Sequence, residues 1–141
     1  AYAGVVAAVH AGWRGAKDGV IDAAVAAMLD LGAGRCRMVA AIGPCIQQAS
    51  YEVGPEFHAA FTAEGEDAGG FFRPSAREGH RMFDLQGYVA SRLDALGLAR
   101  VFALGRDTAS DADSFFSYRR TTLNGGGDYG RSLSAIALDP R

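Results

Sequence analysis

The chain has 141 residues, enough for one domain with a core of its own. Its 14 Lys and Arg against 16 Asp and Glu give a net charge of −2 without a basic run to track a phosphate backbone, so nucleic acid is not an expected partner. Apolar stretches are broken well before the roughly 20 residues of a membrane helix, and Cys36 and Cys45 form neither a disulfide framework nor a CxxC pair, so no membrane partner is expected and the setting is a reducing cytoplasm.

Gly4–Val9 is a continuous apolar run rich in valine, the pattern of a central strand covered on both faces. A turn over Gly12–Gly15 follows. Ile21, Val25, Met28 and Leu29 then recur at helical spacing, with Asp18 and Asp22 near the start and Gly32 and Gly34 at the end. Met38–Ile42 reads as a second buried strand, stopped by Gly43-Pro44. Gly54-Pro55 opens a short helix over Glu56–Phe61, with Pro55 in its first turn. Thr62–Gly79 is polar and glycine-rich, so a surface loop is predicted. Leu85, Val89, Leu93 and Leu96 share a helical face, capped by Asp84 and closed by Gly97. Val101–Leu104 and Leu133–Leu138 supply further strands. Strand, helix and strand in succession predict an α/β fold with a mixed sheet flanked by helices.

Three groups of residues could carry chemistry. His10 ends the first strand, where ligands gather in open α/β sheets, and its imidazole can ligate a metal or move a proton. The glycines after it let backbone approach a ligand, Arg14 offers a planar fork for an anion, and Trp13 a face for a base or a place at the core rim. In the second group, Cys45 after a strand end is expected to be a small buried hydrophobe rather than a nucleophile. Glu52 is either a general base or a cap for the following helix. The third is Phe115-Phe116-Ser117-Tyr118-Arg119-Arg120, whose aromatics and paired arginines can hold a planar ring and a phosphate. Phe115 and Phe116 are equally suited to a core, and His58 and His80 share no spacing with His10.

Together, Ala8-Val9-His10-Ala11-Gly12-Trp13-Arg14-Gly15, Ile42-Gly43-Pro44-Cys45-Ile46 with Tyr51-Glu52-Val53-Gly54, and Phe116-Ser117-Tyr118-Arg119-Arg120 with Gly130-Arg131 resemble one family in content and order. These are the laccase-domain or YfiH-type proteins, described as multicopper polyphenol oxidoreductases and as purine nucleoside phosphorylases. The resemblance covers essentially the whole chain. Two stretches depart from it: Arg106-Asp107-Thr108-Ala109 stands where the family commonly has a Cys-Thr pair, and Thr121–Tyr129 is expanded, with three consecutive glycines.

The resemblance implies a layered α-β-β-α sandwich, with residues 1–141 as the C-terminal portion of a single domain. It implies a zinc ion held by His10 and by a histidine and a cysteine of the N-terminal portion, with copper as the alternative metal. It further implies phosphorolysis of purine nucleosides, including methylthioadenosine, and hydrolytic deamination of adenosine. On this expectation His10 is a metal ligand, Arg14 and Arg119 are catalytic, and Trp13, Phe116, Tyr118 and Arg120 contact substrate. Three histidines fit a multicopper polyphenol oxidase poorly. Peptidoglycan precursor editing, and a non-catalytic fragment or binding module, stand beside it as rival readings. Self-association through the edge of Gly4–Val9 is also expected.

Overall fold

The computed structural model describes residues 3–63 and 68–139. They form two units, one of residues 3–42, 89–103 and 133–139 and the other of residues 43–63, 68–88 and 104–132. Parallel pairing occurs in one and antiparallel pairing in the other, so the fold is mixed α/β.

In the first unit, α1 (Trp13–Lys17) is followed by α2 (Val20–Asp30), on which Ile21 and Val25, one turn apart, are buried. Gly32 ends α2 at φ +91°, a backbone that a β-carbon disfavours, and there the Gly32 and Ala33 amides donate to the carbonyls of Leu29 and Met28. Strand β1 (Val39–Ile42) pairs in parallel with β5 (Arg100–Ala103), from Val39 opposite Arg100 to Ile42 opposite Ala103. Helix α4 (Leu85–Ala95) contributes Val89 and Leu93 to this core, and its Arg92 donates to the Asp22 carboxylate at 2.8 Å.

The second unit is built on aromatic rings. Strand β2 (Glu52–Val53) precedes α3 (Pro55–Thr62), and β3 (Phe72–Pro74) and β4 (Arg81–Phe83) complete an antiparallel sheet of order β2-β4-β3. Phe57 and Phe61, four residues apart on α3, stack at 5.3 Å between centroids, and Phe61 lies 5.0 Å from Phe83. Both Phe61 and Phe83 are fully buried. The expected Asp84 cap is present: its carboxylate accepts from the Gly87 amide at 2.8 Å. Helix α5 (Tyr118–Leu123) starts at Ser117, whose hydroxyl accepts from the Arg120 amide.

Several expectations are corrected. Gly4–Val9 is not a strand: it joins no ladder among the described residues, and Val9 is 45 % exposed. Leu133–Leu138 likewise has no ladder, and Leu133 is 92 % exposed. An apolar run reports a tendency toward burial, whereas a strand also requires a partner for its amides and carbonyls. The second strand expected over Met38–Ile42 is present as β1, but it is buried only at Met38 and Ile42 and not between them. The Thr62–Gly79 loop contains β3, which with three residues is too short to announce itself, and residues 64–67 of it lie outside the described residues.

Candidate functional site

The first group of expected site residues lies in the first unit. His10 is exposed at the end of the extended segment and packs against Gly12, where an added β-carbon would stand 3.5 Å from its Nε2. The turn expected over Gly12–Gly15 is largely the first turn of α1, so Trp13 and Arg14 leave a helix start side by side, with the guanidinium 4.9 Å from the indole centroid.

The remaining candidates lie in the second unit, where Glu52, Arg119 and Arg120 line an open cleft of about 440 Å³ with Ser50, Met82, Leu123 and Asn124 among others. This volume lies within the roughly 300–1,000 Å³ of small-molecule sites. The two adjacent arginines of α5 are used differently. Arg120 donates through Nη1 to the carbonyls of Thr108 and Ala109, both at 3.0 Å, and through Nη2 to that of Phe115 at 2.5 Å. It thereby latches the 108–115 loop to α5. Arg119 donates through Nη2 to the Glu52 carbonyl at 2.7 Å and lies 5.4 Å from the Tyr51 ring centroid. Its planar head is held along one edge, at the cleft.

Glu52 does not cap α3. Its carboxylate accepts from the Ser75 hydroxyl at 2.5 Å, with Arg77 3.9 Å away. Tyr118 and Phe116 are exposed; Tyr118 pairs with Tyr129 at 5.7 Å, and the Phe116 ring lies against Gly130 so closely that a β-carbon there would meet it at 2.5 Å. The absence of a β-carbon at Gly130 is what lets this aromatic ring approach the chain so closely.

Sequence reasoning missed Asp107, which ties together Ser50 and Ala109 of the cleft lining. Its carboxylate accepts from the Ser50 hydroxyl at 2.5 Å and from the amides of Ala109 at 2.9 Å and Gln47 at 3.3 Å. Burial raises its pKa, but those hydrogen bonds, with one from Ser110, outweigh burial and hold it below the usual carboxylate range. The signal was present in Asp107-Thr108-Ala109, since aspartate commonly folds back onto an amide two residues ahead. Cys45, bridged to Asp107 through backbone pairing, has its thiol pushed up to about 11 by burial and by the charges of Asp84 and Asp107, against a hydrogen bond from Gln47. A thiol so placed is a poor nucleophile at neutral pH.

No group of three or more His, Cys, Asp or Glu among the described residues could hold a metal ion. His58 packs edge-on against Phe72, and His80 Nδ1 faces the Glu78 carbonyl, so each has a local role in the second unit. His10 alone does not fit a zinc or copper site.

Residues 1–139 match the family model described as multi-copper polyphenol oxidoreductase laccase. The chain belongs to this family. Among its relatives are a purine nucleoside phosphorylase of Pseudomonas aeruginosa, 40 % identical over 85 % of this chain and 48 % of the relative, and one of Deinococcus radiodurans, 37 % identical over 99 % and 51 %. A crystal structure of Neisseria meningitidis protein NMB0706 aligns with a TM-score of 0.70 at 32 % identity, covering 79 % of this chain and 45 % of that one. The chain thus spans about half the length of the curated relatives it matches.

Proposed function

We infer that these residues are the C-terminal portion of a single laccase-type domain that acts as a purine nucleoside phosphorylase. The observation carrying this reading is the family match over residues 1–139, together with relatives named purine nucleoside phosphorylase at up to 40 % identity. In phosphorolysis a phosphate oxygen bonds to the ribose anomeric carbon and the glycosidic bond breaks. The purine leaves with the bonding electrons and takes a proton, and ribose 1-phosphate remains. Such a step needs an oriented anion, an oriented sugar and a face for the base. In the second unit Arg119 offers a planar cationic fork, Phe116 and Tyr118 offer aromatic faces, and Arg120 holds the 108–115 loop; in the first unit Arg14 and Trp13 offer the same two kinds of group.

Methylthioadenosine as substrate and deamination of adenosine extend the same reading, and cytoplasmic purine nucleosides and phosphate are the partners it requires. A zinc ion, as the family resemblance implies, would take His10 as one ligand and would need its remaining ligands from outside the described residues, because His10 alone does not make a site. The test is chromatography of bases released from inosine, adenosine and methylthioadenosine by the intact protein isolated from its source cell. Release that requires phosphate, and that falls at least about a hundredfold on His10→Ala, is expected. Wild-type turnover in that variant overturns the role of His10, and release unaffected by phosphate overturns the phosphorylase reading.

A further inference from the structure

The glycine-rich stretch after α5 has no role in phosphorolysis as proposed, yet its geometry is specific. Helix α5 ends at Gly125, with φ +100°, where the Gly125 and Gly126 amides donate to the carbonyls of Thr122 and Thr121. That pattern closes a helix with one left-handed glycine. Gly126 and Gly127 continue at φ +83° and +114°, two further positions that an L side chain rarely adopts and that the helix end does not require. A β-carbon at either would meet nothing within 4 Å, so the restriction there is the backbone's own.

Beyond these glycines, residues 128–131 are tied to one another. The Tyr129 amide donates to the Asp128 carboxylate at 2.9 Å, Arg131 Nη1 donates to the Tyr129 carbonyl at 3.3 Å, and the Arg131 guanidinium lies 4.9 Å from the Tyr129 ring centroid. The segment meets the rest of the second unit through rings. Tyr129 lies 5.7 Å from Tyr118, and three atoms of the Phe116 ring stand 2.5–2.7 Å from where a β-carbon on Gly130 would be. Phe116 and Tyr118 are themselves exposed, and an exposed ring takes its rotamer from the few contacts it keeps. A locally bonded segment, joined through left-handed glycines and held down by aromatic contact, can lift as a body. We propose that residues 128–131 are a hinged strap that swings on Gly126 and Gly127, holding Phe116 and Tyr118 in place when docked and releasing them when lifted. Tyr129 and Gly130 are thereby positioning residues for the two rings. The link to a nucleoside rests on the phosphorylase reading; the motion does not.

The test is limited chymotrypsin digestion of the intact protein, with cleavage after Tyr129 followed by mass spectrometry, beside inosine kinetics. Gly130→Ala puts a β-carbon into the Phe116 ring and should speed that cleavage about fivefold or more by lifting the strap. In a Phe116→Ala background the same substitution should change the rate by less than about twofold, since the obstructing ring is gone. Gly126→Ala combined with Gly127→Ala strains the docked backbone by a different route; it should speed cleavage by roughly fivefold per residue, and it serves if Gly130→Ala does not fold. Release of the strap should raise KM for inosine about fivefold and leave kcat within about twofold, the mark of lost uniform binding rather than of a damaged protein. Cleavage at the wild-type rate in both variants, or acceleration by Gly130→Ala that persists without Phe116, overturns the strap. Faster cleavage with KM unchanged overturns its hold on the rings that meet the nucleoside. A protein that releases no purine refutes the phosphorylase reading, while the digestion still decides the strap.

Discussion

Asp107 and Cys45 are the residues at which environment most alters chemistry. Because the folded-state pKa of Asp107 is lowered, the unfolded chain binds its proton first as pH falls. The stabilisation is therefore present above the ordinary aspartate value of roughly 4 and is lost as pH drops through the lowered one. Urea midpoints at pH 7 and pH 3 should show Asp107→Asn to be about 1 kcal/mol less stable than wild type at pH 7, with the gap narrowing at pH 3. A gap that widens on acidification contradicts this. Cys45 titrates at about 11, so iodoacetamide at pH 8 should label exposed Cys36 at least tenfold faster, read by peptide mass spectrometry. Equal rates would mean that the Cys45 pocket opens readily. Cys45, expected as a small buried hydrophobe, is half-buried and accepts a hydrogen bond from Gln47, whereas the Asp107 network joins residues sixty positions apart and had no local periodicity to reveal it.

At the scale of elements, α2 and α4 were readable because their apolar residues repeat every three to four positions and their ends carry Gly32 and Asp84. Asp84→Ala should lower stability by about 1 kcal/mol, seen as a drop in melting temperature, because the Gly87 amide loses its acceptor. An unchanged melting temperature would show that water replaces the cap without cost. Strands β2, β3 and β4 have two or three residues each, too few for alternation to declare itself. Their sheet is specified by the rings of Phe57, Phe61, Phe72 and Phe83 closing on one another, a three-dimensional fact that spacing in one segment does not carry. Helix α5 was hidden for a different reason: Ser117 is an ordinary N-cap, but the block around it reads first as aromatic and basic. The site's arginines were thus found by chemistry, and their division of labour only by geometry.

At the scale of the whole molecule, the apolar runs Gly4–Val9 and Leu133–Leu138 join no ladder among the described residues. Val9, Val39, Phe102, Leu133 and Ile136 of the first unit remain exposed, and apolar surface of that kind favours association. Sedimentation of this 141-residue chain should therefore show concentration-dependent self-association; a stable monomer across the range contradicts it. Family membership fits a fold whose three recognisable blocks fall at a helix start, a strand end and a helix N-cap, places where backbone geometry fixes side chains well. The proposed activity of the intact protein is transfer of the ribosyl group of purine nucleosides to phosphate. The measurement that tests it most directly is phosphorus NMR of the intact protein with inosine and inorganic phosphate. A new ribose 1-phosphate resonance should grow in equal amount with free hypoxanthine followed in proton spectra; free ribose in the proton spectra with the phosphate signal unchanged would rule phosphorolysis out.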